Sequence, residues 1–270
     1  MADIKKIKLD ETTYDLRDAG AARIADATIT SDSQTTVAVG GIAKGTSLKD
    51  KSVAEVIEEI FFPYVAFSFN SISTAAAAGT KEYGTSVTVS KVTPSFTAGS
   101  KVISSVKIGT TSGGDDLYSG TSVTNGSAIT LTTNKIFDGT TGGTIYCTLS
   151  DGTTTTTKNA SVSYAYYTYY AVTNTTDVPT AWTAVNSTTV TDISIAANAG
   201  QYIWIASSGN YSGICELNEL SGKYNAAAST IKNSSQTLVN SKNYTCTNKY
   251  NFYRLEAPRA GSGSSKFKLA

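Results

Sequence analysis

The sequence predicts a mainly β protein in which an N-terminal anchor arm and one short helix lead into two β-sandwich domains. Three observations carry that prediction. Residues 45–64, GTSLKDKSVAEVIEEIFFPY, are the one stretch with clear helical periodicity. After Pro63 the chain becomes a series of short β-patterned runs divided by glycine, aspartate and asparagine turns, the texture of antiparallel sandwiches. Between two such series lies Ser161–Tyr170, SVSYAYYTYY, in which Tyr164 and Tyr166 would face one side of a strand and Tyr167 and Tyr169 the other.

The first element, residues 1–30, reads as an anchor arm. Ile4, Ile7 and Leu9 are spaced among Lys5, Lys6 and Lys8 as in a short amphipathic strand, and Tyr14 and Leu16 follow before an alanine-rich stretch. These apolar residues are too few for a core of their own. They fit either a surface arm or an anchor that orders on a partner, and the five are the candidates for particle attachment.

Residues 31–65 read as a strand–helix neck. Thr35–Ile42 has the pattern of a strand ending at Gly40-Gly41. Ser52 followed by Glu55 is a capping box, so a helix is expected to start near Val53. Val53, Val56, Ile57, Ile60 and Phe61 fall at i, i+3, i+4, i+7 and i+8 and form one apolar stripe. Pro63 ends the helix. A helix of about three turns is marginal alone in water, so the stripe must be buried against the next domain or against the same helix of neighbouring copies. Those five residues are therefore the oligomerisation candidates.

Residues 66–165 carry strand candidates at Phe67–Ser73, Ser86–Lys91, Val102–Ile108, Ala128–Thr132 and Ile145–Leu149. Tyr146–Ser150, Asp151-Gly152 and the threonine run after them read as a hairpin, with Asp-Gly supplying the positive φ angles of a type I′ turn. Short strands at near-regular spacing over about 100 residues predict an immunoglobulin-like β-sandwich, without the Cys–Trp–Cys signature of antibody domains. Residues 166–270 form the second β-domain. Tyr202–Ile205 and Asn251–Leu255 are its clearest strands, and Lys266–Leu269 should close a sheet on an earlier strand.

Composition narrows function. With 40% hydrophobic residues, 16% charged and a formal charge of +1, no field would draw nucleic acid or anionic lipid. There is no histidine, the usual general acid–base and metal ligand near neutral pH. Cys147, Cys215 and Cys246 are odd in number and widely spaced, which suits neither a disulfide framework nor a zinc site. Buried thiols made in a reducing compartment are expected. No apolar h-region opens the chain and no apolar run of about 18 residues occurs, so a soluble protein without membrane insertion or a conventional signal peptide is expected.

The remaining chemistry is sparse. Asp115-Asp116 lacks the further acidic residues of a calcium loop and reads as a solvated turn. Asp192, Glu216, Glu219 and Glu256 could in principle supply the two carboxylates of glycoside hydrolysis, yet nothing marks a pair. No catalytic, cofactor or metal residue is assigned, and no enzymatic activity is expected. Trp204 reads as core. Trp182, in a loop after Pro179, is the candidate glycan contact, set against the plainer role of a partly buried anchor.

The stretch Val39-Gly40-Gly41-Ile42-Ala43-Lys44-Gly45-Thr46-Ser47-Leu48 leading into Ser52–Tyr64 resembles a segment of structural proteins of tailed bacteriophages, notably those of gut bacteria. Thr13-Tyr14-Asp15-Leu16-Arg17-Asp18 is similar to the start of phage fibre proteins, head fibres among them. The resemblance spans most of the chain but departs in the last 100 residues or so, which are more polar. It implies a non-enzymatic virion appendage, a head fibre before a tail fibre or a capsid decoration. Such a protein is made in the host cytoplasm, attached by its N-terminus to a capsid or tail protein, commonly trimeric, and carries its distal domain outward. The alternative is a carbohydrate-binding adhesin for host-surface glycans.

Overall fold

The computed structural model describes residues 6–9, 12–15, 27–30, 34–76, 79–185 and 187–270. The chain divides into two compact units. One runs to Ser68 and includes the loops 96–103 and 151–154; the other holds the rest.

In the first unit, β1 (Lys6–Leu9) and β2 (Thr12–Asp15) form an antiparallel hairpin with Ile7 opposite Tyr14. Of the anchor candidates, Ile7, Leu9 and Tyr14 fall on this hairpin, while Ile4 and Leu16 lie outside the described residues. The strand expected at residues 35–42 does not form. Gly40, at φ +57°, folds the chain so tightly that Val39 and Ile42 bond each other through both N–H groups at 3.0 Å. Only isolated bridges remain, Thr28 to Ser52, Gln34 to Ser47 and Val39 to Ile42.

Helix α1 (Val53–Phe61) starts where the capping box places it. The Glu55 N–H donates to Ser52 Oγ at 3.2 Å, and the Ser52 N–H donates to the Glu55 carboxylate at 2.7 Å. That backbone bond from Ser52 holds the Glu55 carboxyl below its usual range. At the other end Phe62 still donates to the Glu58 carbonyl at 2.7 Å, and Pro63 stops the ladder.

The middle of the chain is a two-sheet sandwich. Its strands are β3 (Ser68–Ser73), β4 (Thr80–Glu82), β5 (Val87–Thr97), β6 (Ser105–Gly109), β7 (Tyr118–Gly120), β8 (Ile129–Phe137), β9 (Gly143–Ser150) and β10 (Thr155–Ala165). One sheet has the order β3-β5-β8, the other β4-β10-β9-β6-β7. The short β4 runs parallel to β10, and the ladders of β9 with β10 and β6 are antiparallel. This is the strand arrangement of an immunoglobulin-like sandwich. Val87, Val89, Leu131 and Phe137 of the first sheet and Val106, Ile108, Ile145, Cys147, Leu149 and Val162 of the second are buried. A Cβ on Gly143 would lie 2.7 Å from the Phe137 ring, so β9 and β8 approach closely there.

Three details differ from expectation. β4 and β7 were not foreseen, because three residues with little apolar pattern carry no period. The β9–β10 connection is a four-residue loop, 151–154, and not a two-residue type I′ turn. Only Gly152 takes positive φ, at +87°, while Asp151 Oδ1 accepts the N–H groups of Thr153 at 2.9 Å and Thr154 at 2.7 Å. The tyrosine-rich segment, expected to be the last strand of the middle domain running into the start of the next, has a break in it: β10 ends at Ala165, and β11 (Tyr169–Thr173) starts the next domain.

That domain continues with β12 (Thr183–Ala184), β13 (Ile193–Ala197), β14 (Tyr202–Ser207), β15 (Ile214–Asn218), β16 (Lys223–Ala226), β17 (Ser229–Val239), β18 (Thr245–Leu255) and β19 (Gly263–Leu269). Its sheets have the orders β12-β11-β14-β18-β17 and β13-β19-β15-β16. As expected of the final strand, β19 closes a sheet, between β13 and β15. Ile203, Ile205 and Tyr253 pack with Ile195, Ile214 and Phe267 in one core, while Tyr169, Trp204, Tyr250 and Phe252 make a second core on the opposite face. The run Tyr202-Ile203-Trp204-Ile205-Ala206 is apolar throughout because β14 is buried on both faces.

The second core reaches the middle sandwich. Glu82, 3% exposed, receives the hydroxyl of Tyr169 on Oε1 and that of Ser241 on Oε2, the latter at 2.6 Å. Tyr169 Oη in turn accepts the Ser241 N–H at 2.9 Å. Asn240 Nδ2 donates to the Tyr83 carbonyl at 2.6 Å, and the Tyr83 ring stacks 4.3 Å from Tyr166. A Cβ on Gly84 would sit 2.5 Å from Tyr244 Cβ, so the turn of the β17–β18 hairpin touches backbone at this point.

Candidate functional site

The neck is built from three chain segments of the first unit. The Gly40-Gly41 turn lies on the C-terminal half of α1: the Gly41 N–H donates to the Glu59 carbonyl at 2.7 Å, and a Cβ on Gly40 would fall 2.2 Å from the Ile60 carbonyl oxygen. Lys51 Nζ, just before the helix, bonds the carboxylate of Glu59 in its C-terminal half. These contacts hold the helix by its backbone and its polar side.

They do not cover its stripe. The stripe is expected to be buried against the next domain or against neighbouring copies, and within the single chain no residue of α1 is buried. Val53, Val56 and Ile60 are half-buried, Ile57 is 48% exposed and Phe61 70%. The packing that would stabilise so short a helix is therefore largely missing from the single chain.

Among the described residues, twelve large apolar side chains are exposed, and eight of them belong to this unit: Val37, Val39, Ile57, Phe61, Phe62, Tyr64, Val65 and Val102. The exposed apolar side chains are thus concentrated in the unit that holds α1, and exposed apolar patches are a mark of interaction surfaces. Sequence reasoning missed Phe62, Val65 and Val102. The Phe61-Phe62 pair was a usable signal, since both rings cannot share the stripe. Val102 carried none, having been assigned to the strand Val102–Ile108, of which only Ser105–Gly109 forms.

The other candidates pack or pair within the fold. Trp182 is half-buried at the edge of the second core, its ring 4.7 Å from Phe252 and tilted 43° to it. Trp204 is 1% exposed, with Nε1 donating to Thr173 Oγ1 at 3.2 Å. Asp116 accepts the N–H and the hydroxyl of Thr110, both at 2.9 Å, which holds its carboxyl low, and Asp115 pairs with Lys107 at 3.4 Å. Glu216 is paired with Arg259 at 2.5 Å, and Asp192 accepts the Tyr224 hydroxyl at 2.7 Å. No group of three or more metal-ligating side chains occurs among the described residues, and no helix there is long and apolar enough to cross a membrane.

All three cysteines are free and buried. Burial pushes the Cys147 thiol up to about 12 and, with Glu82 nearby, the Cys246 thiol up to about 11. They pack as small apolar side chains, Cys147 in the middle sandwich and Cys246 in the second core of the last domain.

No family model matches the chain, and no curated protein matches its sequence.

Proposed function

We propose that the chain is a non-enzymatic structural subunit of a tailed-bacteriophage virion, a fibre or appendage of the head before the tail. Residues 1–30 attach it to a capsid or tail protein, residues 31–65 join copies into a trimer, and the β-domains project. The observation that carries this reading is α1: both ends are capped by its own chain, while Ile57 and Phe61 of its stripe remain in water. A helix so finished at its ends and so unfinished on its face supports assembly through that face. The N-terminal and neck segments that resemble phage fibre proteins point the same way. Trp182, half-exposed at the edge of the distal domain, supports host-glycan contact as a role of the projecting part.

The test is the native mass of the full chain by light scattering. A trimer is expected, and the double variant Ile57→Asp, Ile60→Asp should return a folded monomer. A wild-type monomer, or a double variant that stays trimeric, overturns the neck assignment.

A further inference from the structure

In the ladder of β5 with β8, Phe137 lies opposite Val87 and Lys135 opposite Val89. Directly opposed residues share a face of the sheet, and Val87, Val89 and Phe137 are all buried. Lys135 therefore stands on the inner face of the middle sandwich, where the alternation of β8 calls for an apolar side chain. It is half-buried, with Nζ 5.5 Å from the centre of the Phe137 ring. The ion pairs among the described residues are Lys51–Glu59, Lys107–Asp115 and Arg259–Glu216, so this ammonium has no carboxylate partner there. Asp116 lies near enough to feel its charge, but that carboxylate is engaged by the N–H and hydroxyl of Thr110.

Lys135 borders a cavity of about 300 Å³ whose walls include Thr110, Phe137, Asp138 and the run 141–144. Two of those walls are fixed: a Cβ on Gly142 would fall 2.6 Å from the Val162 carbonyl oxygen, and one on Gly143 2.7 Å from the Phe137 ring. Asp138 spends its Oδ1 on the N–H and hydroxyl of Thr140, at 2.8 and 2.7 Å, and on the Thr141 N–H at 3.3 Å. Lys135 is thus the charge that the cavity can offer. An inward-pointing charge on an edge strand also deters pairing with another sheet, and β8 is an edge strand. That role needs neither a cavity before the charge nor hydroxyls around it. Small-molecule sites run from about 300 to 1,000 Å³, so this one admits a single ring and little more. An unpaired ammonium selects an anionic oxygen, while Thr110, Thr141 and Thr144 and the glycine backbone suit a hydroxylated ring. The one aromatic wall, Phe137, is 5% exposed and offers a base no face to stack on.

We propose that this cavity binds a hydroxylated ring bearing one carboxylate, a uronic acid residue of a polysaccharide. Lys135 pairs with the carboxylate, and Thr110, Thr141 and Thr144 supply partners for the ring hydroxyls. The site belongs to the middle sandwich and rests on neither the neck nor Trp182.

The experiment titrates the full-length chain with methyl β-glucuronide, with the neutral methyl β-glucoside and with sodium acetate, read by saturation-transfer NMR, and locates the site by hydrogen exchange. The glucuronide should bind at least tenfold more tightly than the glucoside or acetate and should slow exchange over residues 135–144. Lys135→Met should weaken it at least tenfold and leave the glucoside unchanged. The comparison of ligands and the exchange map use the wild-type chain, so they decide the matter even if K135M fails to fold. Equal binding of glucuronide and glucoside overturns the role given to Lys135, and acetate binding as tightly as the glucuronide overturns the sugar. Protection around Trp182 in place of 135–144 overturns this cavity while favouring the distal contact. If the glucuronide does not bind and K135M only aggregates, Lys135 is an edge guard and the proposal falls.

Discussion

Replacing Tyr169 by phenylalanine removes one oxygen atom from a fully buried side chain and leaves its ring in place. In the native fold that oxygen donates to Glu82 Oε1 and accepts the Ser241 N–H at 2.9 Å. Glu82 keeps its bond from Ser241 Oγ at 2.6 Å but loses the other. The variant therefore leaves a carboxyl oxygen without a partner at a site where Glu82 is 3% and Tyr169 0% exposed, whereas the N–H of the exposed Ser241 can turn to water. A buried group left so costs about 1–3 kcal/mol, more where it is charged, so the expected loss is about 2–3 kcal/mol. Guanidinium unfolding followed by tryptophan fluorescence reads it, because both tryptophans, Trp182 and Trp204, adjoin the same core. In a cycle with Glu82→Ala the two changes should couple by about 2 kcal/mol, since they remove the same bond. A Tyr169→Phe chain within about 0.5 kcal/mol of wild type, or strict additivity in the cycle, would refute the view that Glu82, Tyr169 and Ser241 form one interdependent network.

Two further outcomes follow from the same structure. The three buried thiols should be inert to a thiol-specific reagent at pH 8 until the chain unfolds, with Cys147 and Cys246 held near 12 and 11; fast reaction in native buffer would contradict their placement. Asp116, Asp138 and Asp151 all have lowered pKa values, chiefly through backbone N–H groups of Thr110, Thr140 and Thr154. A depressed folded pKa gives stability that is complete above the ordinary carboxylate value of about 3.9 and is lost as pH falls through the lower folded values. With no histidine in the chain, the melting temperature should be nearly flat from pH 6 to 8 and drop only below about pH 4. A steep change near pH 6.5 would contradict this.

How much of the molecule could be read in its residues depended on the range of the interactions. Ser52 and Glu55 are three residues apart and settle the start of α1 by bonds to each other's backbone, whatever the rest of the chain does. Alternation in runs such as Ile145–Leu149, with glycine and asparagine turns between them, settled the β class and the sandwich, since a strand with one wet face needs a period of two. Lys266–Leu269 likewise announced a closing strand.

Other features needed partners far along the chain. β4 is a strand only because β10, some 80 residues later, lends it a parallel ladder through Ser163↔Thr80 and Ala165↔Glu82. The tyrosines of residues 164–169 are legible as lying on both faces of extended chain, but the break between β10 and β11 is set by the two sheets they join, and of these tyrosines only Tyr169 is buried. Asp151-Gly152 has the composition of a type I′ turn, but the Asp151 carboxylate satisfies the Thr153 and Thr154 N–H groups and only Gly152 takes positive φ.

The same division holds for the candidate site. That Val53, Val56, Ile57, Ile60 and Phe61 share a face is already written in their spacing, because helical geometry is local. That this face stays only half covered among the described residues, with Ile57 and Phe61 exposed, and that Phe62, Val65 and Val102 are exposed as well, followed only from the packed chain, because exposure is a property of everything that packs nearby. Periodicity says which residues point together; burial depends on what they point at.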